Sequence, residues 1–102
     1  MTIDDDNSGP LVVLPDHVMM REVGEEAVLL DFTSESYFGL DPVGLSMLGL
    51  AREHSTVDAV IGALVLEWDA DADTLRSDLR RFLRELEEQG LVELSQRFEE
   101  SV

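Results

Sequence analysis

The chain has 102 residues, no cysteine and no lysine, and its formal net charge is −16 with a pI near 4.1. That length is one domain, with room for a single core that buries roughly 60–70% of the unfolded surface. The charge argues against nucleic acid and anionic membranes, whose binding rests on neutralising phosphates. The absence of cysteine removes disulfides, thiolate nucleophiles and cysteine metal sites, which fits a cytoplasmic protein.

Residues 1–15 read as a flexible acidic tail. Asp4-Asp5-Asp6-Asn7-Ser8-Gly9-Pro10 has no apolar period, and the acidic start is unlike a secretory signal. Leu11–Leu14 is apolar and could lie on the domain surface, while Pro15 limits its use as a central strand. His17–Val23 reads as a first strand with Val18 and Met20 on one face, and Gly24-Glu25-Glu26 as a turn. In the second strand, 27–32, Val28, Leu30 and Phe32 form a face that is apolar throughout. Thr33–Ser36 is a polar turn, and the strand pattern resumes over 36–40, where Gly39 leaves room for a close approach to the backbone.

Asp41-Pro42 stops that strand and starts a helix over 42–53, with Asp41 as N-cap and Pro42 at the first helical position. A second helix runs over 56–68, with Ser55 as the expected N-cap and Val57, Val60, Ile61, Leu64, Val65 and Trp68 as its apolar stripe. A third runs over 72–89, capped by Asp71 and stopped by Gly90, with Leu75, Leu79, Phe82, Leu83 and Leu86 as its apolar face. Arg76 and Arg80 flank that face on the Leu79/Leu83 side, whereas Arg81 and Arg84 project away from it. Leu91–Leu94 closes the domain, and 95–102 is a polar C-terminal tail.

The expected fold class is α+β and winged-helix-like: a three-stranded antiparallel meander packed against three helices. In such a meander the third strand is an edge, and its unpaired N–H and C=O groups can accept an extended peptide as a further strand. His17 and His54 have no nucleophile partner or metal spacing, and no glycine-rich phosphate loop is present. The expectation is therefore a non-enzyme with no cofactor, no metal, no nucleic-acid partner and no membrane contact.

The run VLLDFTSESYFGLDPVGLSML (Val28–Leu48), followed by TVDAVIGALVLEWDAD and LRRFLRELEEQGLVEL, resembles the PqqD-like family over residues 16–94. These are the recognition elements that hold the leader peptides of ribosomally made, post-translationally modified peptides. Within the family the chain is most similar to stand-alone lasso-peptide B1 leader-binding proteins. The resemblance implies a precursor leader bound as an added strand and delivered to a leader peptidase and then a macrolactam synthetase. Carried over by position, it places Glu35, Ser36, Tyr37, Phe38 and Gly39 on the strand side of the site. Leu75, Arg76, Leu79, Arg80 and Leu83 fall on the helix side, with Leu79 and Leu83 receiving an apolar leader side chain and the arginines pairing with leader carboxylates. The alternatives are a peptide chaperone of a quinone-cofactor or radical-enzyme pathway, and a winged-helix nucleic-acid regulator, against which the net charge weighs.

Overall fold

The structure, a computed structural model, describes residues 9–95 and residue 98. Its elements follow in the order β1 (Val12–Val13), β2 (Val18–Val23), β3 (Glu26–Asp31), β4 (Ser36–Leu40), α1 (Pro42–Glu53), α2 (Val57–Glu67), α3 (Ala72–Glu88) and β5 (Glu93–Leu94). The expected α+β class stands: β2, β3 and β4 form an antiparallel meander, α1 packs on one of its faces, and α2 and α3 complete the core beneath it.

The strand alternation decides which face is covered. Met20 stands opposite Leu29, and Leu29 opposite Phe38, while Ala27 pairs with Leu40. Val18, Ala27, Leu29 and Leu40 are buried, and Met20 and Phe38 pack against the core they make with the helices. This corrects the expected apolar face of the second strand. Side chains alternate across a strand, and the buried set is 27, 29 and 31, so Val28, Leu30 and Phe32 fall on the other side. Phe32 is 58% exposed. Both faces of that strand are apolar, so parity alone did not choose between them.

Asp31 also lies on the covered face and is nearly buried. Its Oδ1 accepts the N–H groups of Thr33 at 2.9 Å and Ser34 at 3.2 Å, which shapes the turn into β4. Burial opposes the charge on Asp31, but the Ser34 and Thr33 N–H donors, helped by the Ser34 hydroxyl and nearby His17, outweigh it and hold the carboxyl below its ordinary value of 3.8. Glu35 completes the turn at φ 60°, an uncommon conformation for a residue with a side chain.

The helices begin where their caps are. Asp41 accepts the Gly44 N–H at 2.8 Å, and Asp71 accepts that of Thr74 at 3.1 Å. The cap of α2 is Thr56, not the expected Ser55: the Thr56 hydroxyl accepts the Ala59 N–H at 3.1 Å, three residues on. Gly90 follows α3 at φ +76°, a left-handed stop that suits glycine.

The ends of the described chain differ most from the expectation. Leu11 and Val12 are core residues, and β1 pairs with β5 through Val12–Leu94 and Val13–Glu93. The Leu11 N–H donates to the His54 carbonyl at 2.7 Å, and the Ser95 N–H donates to the Leu11 carbonyl at 2.9 Å. Phe98 is 1% exposed, with the Arg84 guanidinium 5.1 Å above its ring centre. Apolar residues that cover the open end of a helical layer belong to the core whatever the polarity of their neighbours in sequence. The rest of the two expected tails, 1–8, 96–97 and 99–102, lies outside the described residues.

Candidate functional site: a groove beside the β4 edge

In the sheet order β2-β3-β4, β4 pairs with β3 on one side and, among the described residues, with no strand on the other. Among the described residues the β2 edge has no strand partner either, but it is β4 that lies beside a groove bordered by α1 and α3. That groove is lined by Phe38, Leu40, Val43, Met47 and Phe82 as its apolar part, and by Asp41, Asp78, Arg81 and Glu85 at its polar margin. It holds about 400 Å³ and is open along its length.

The construction of the groove follows from local sequence. Asp41 ends β4 and caps α1, so strand and helix leave from one corner. The first turn of α1 carries Gly44, and the Phe82 ring of α3 fills the space a side chain would occupy there. This contact brings α3 close to α1. From Asp78 to Glu85 is two turns of α3, so Asp78, Arg81, Phe82 and Glu85 share one side of the helix. Arg81 is held on its own helix by Asp78, with Nη2 2.7 Å from Oδ1.

The strand-side candidates Glu35, Ser36, Tyr37, Phe38 and Gly39 come together along β4 and its preceding turn. Phe38 and Gly39 border the groove. Tyr37 points to the uncovered face of the sheet and is 77% exposed. A Cβ built on Gly39 would meet nothing within 4 Å, so the backbone there is open to approach.

The helix-side candidates do not reach the groove. Leu75, Leu79 and Leu83 are core residues, at most 4% exposed, with no surface to offer a ligand. Arg76 turns to α2, where its Nη1 lies 2.8 Å from the Asp58 carboxylate. Arg80 shares that flank by helical spacing, on the far side of the buried stripe from Phe82. Its Nη2 is buried with no hydrogen-bond partner among the described residues. The reason is the roll of α3: the groove lies on the Asp78/Phe82 flank, whereas the arginines at 76 and 80 flank the opposite side. The groove residues missed by the sequence reading are Asp78, Arg81, Phe82 and Glu85 on α3, and Leu40, Asp41, Val43, Gly44 and Met47 at the β4–α1 corner. Phe82 was the available signal, because a large aromatic at the border of an apolar stripe is half-covered on whichever side the stripe meets a neighbour.

No group of histidine and carboxylate side chains among the described residues is arranged to hold a metal ion. No helix among them is long and apolar enough to cross a membrane.

A groove between a strand edge and a helix offers an extended segment backbone groups to pair with and a place for its side chains. The family can be stated more closely. Residues 26–92 match the family described as coenzyme PQQ synthesis protein D, PqqD, and the chain belongs to it. Two solved structures are similar. One is TbiB1 in complex with the TbiA(beta) leader peptide, 35% identical with a TM-score of 0.72, covering 78% of this chain and 93% of that one. The other is a lasso peptide synthetase B1 complexed with its leader peptide, 25% identical with a TM-score of 0.69, covering 81% and 98% respectively. No curated protein sequence matches the chain.

Proposed function

We propose that this chain is a non-catalytic recognition element that binds the leader of a ribosomally made precursor peptide and presents it to a modifying enzyme. The observation that carries this reading is the open β4 edge with a groove beside it, in a chain similar along most of its length to two proteins solved with leader peptides. The leader adds to β4 as a fourth strand, with backbone hydrogen bonds along Glu35–Gly39. Alternate side chains enter the groove, where Phe38, Val43, Met47 and Phe82 receive an apolar one. On α3 the reading takes Asp78, Arg81, Phe82 and Glu85 in place of Leu75, Arg76, Leu79, Arg80 and Leu83.

Delivery requires a second surface, because the groove is filled by the leader. The uncovered face of the sheet supplies one. Met19, Leu30 and Tyr37 stand in register across the three strands, and Val23 and Phe32 extend the patch. An exposed apolar face of this kind marks a protein partner. The partner class is the leader peptidase of a lasso-peptide pathway, followed by its macrolactam synthetase, in the cytoplasm.

The test is a fluorescence-anisotropy titration with a labelled leader from the precursor encoded beside this protein's gene. Saturable binding at micromolar or lower concentration is expected, and it disappears when the leader's backbone amides that face β4 are N-methylated. A folded protein that leaves the probe free at about 100 μM, or binds the methylated leader equally well, overturns the reading.

A further inference from the structure

The groove's polar margin carries three carboxylates, Asp41, Asp78 and Glu85, against one guanidinium, Arg81. The guanidinium is already held by Asp78 at 2.7 Å. Asp41 spends Oδ1 on the α1 cap. Glu85 is exposed and makes no ion pair among the described residues. The arginines expected to meet leader carboxylates are elsewhere, Arg76 against Asp58 on α2 and Arg80 on the same far flank. The margin is therefore acidic, in a protein whose whole surface repels anions at −16.

From this we infer that the peptide bound in the groove is cationic where it faces α3, carrying a lysine or arginine that pairs with Glu85 beside an apolar residue that packs on Phe82. The inference rests on the leader-binding reading and specifies the chemistry of its ligand. Spacing sets the pattern. Asp78 to Glu85 spans about 10.5 Å of helix at 1.5 Å per residue, and groove-facing side chains of an added strand recur about every 6.6–6.8 Å. Two such positions fit along that stretch. One lies against the Phe82 ring, and from the next, two residues along, a long cationic side chain reaches Glu85, which stands about 4.5 Å along the helix from Phe82. An aspartate or glutamate at that second position meets carboxylates with no free cation to offset them.

A random twelve-residue peptide display library selected on the full-length chain tests this. The enriched peptides are expected to share a large apolar residue with lysine or arginine two positions from it. Resynthesised with glutamate in place of the cation, such a peptide should bind at least tenfold more weakly. Glu85→Lys should reverse that order while keeping the apolar preference, and Asp78→Asn should weaken the cationic peptide without reversing it. Enrichment of acidic residues at that position, or an unchanged charge preference in folded Glu85→Lys, overturns the inference and leaves leader binding intact. Enriched peptides whose affinity survives N-methylation of alternate backbone amides, or no enrichment at all, overturn the edge-binding reading and this inference with it.

Discussion

Phe82 of α3 rests on Gly44 of α1 so closely that a Cβ at residue 44 would lie 3.3 Å from its Cζ, and 3.2 Å from the Asp41 cap oxygen. The ring also lines the groove, so a ring displaced by that Cβ alters the space the ligand would occupy. Gly44→Ala is thus expected to leave stability within about 1 kcal/mol of the parent, because better helix propensity offsets the crowding. Leader affinity should fall severalfold in an anisotropy titration. Unchanged affinity would mean that the ligand does not touch Phe82.

Gly62 provides the contrast. It is exposed on α2, and a Cβ there meets nothing within 4 Å. Gly62→Ala should stabilise the domain by about 1 kcal/mol, which corresponds to roughly 4–8 °C in Tm for a domain of this size. Differential scanning calorimetry checks it, and leader affinity should stay at the parent value.

The Arg76–Asp58 pair ties α3 to α2 at a surface where the two side chains are 35% and 82% exposed. Such pairs contribute about 0.2–1 kcal/mol. Arg76→Ala should cost no more than that in urea unfolding and leave leader binding alone. A tenfold loss of affinity in this variant would return the binding site to the α2 flank of α3.

Asp31 contributes to the pH dependence of stability. Its folded pKa is depressed, so its contribution to stability is complete above the unfolded value near 4 and is lost as pH falls through the lower folded value. Asp31→Asn should lower stability at pH 7 and flatten its decline as the pH falls below about 4, relative to the parent. Chemical denaturation at a series of pH values reads both effects.

Met19 is 46% exposed on the open face of the sheet and stands opposite Leu30. Met19→Asp should leave leader affinity unchanged and slow leader removal by the cognate peptidase at least tenfold. An unaltered rate would clear that face of any part in delivery.

Much of this architecture could be read from the residues, and the failures have a common cause. Asp41-Pro42, Asp71 and Gly90 mark helix ends because their backbone preferences act locally, and the structure puts the boundaries there. The three strands and the β4 edge follow from alternation and short turns. What local rules do not carry is orientation about an element's own axis. The strand 26–31 is apolar on both faces, so small Ala27 and charged Asp31 concealed the inward side. On α3 the arginines drew attention to one flank, and the packing of Phe82 on Gly44 settled the other. Leu11, Val12 and Phe98 belong to the core through contacts with residues far away in sequence, which no local window reports.

The pairing of β1 with β5 bears on how the domain comes apart. Val12 meets Leu94 across about 80 residues of chain, so among the described residues this two-pair ladder, with the Ser95–Leu11 hydrogen bond beside it, closes a loop that takes in nearly the whole domain. Loop-closure entropy makes such a contact a late one, formed after the meander and helices have assembled. Loosening it should raise the unfolding rate and leave the folding rate nearly unchanged. The clasp therefore governs the lifetime of the native state more than the speed of reaching it.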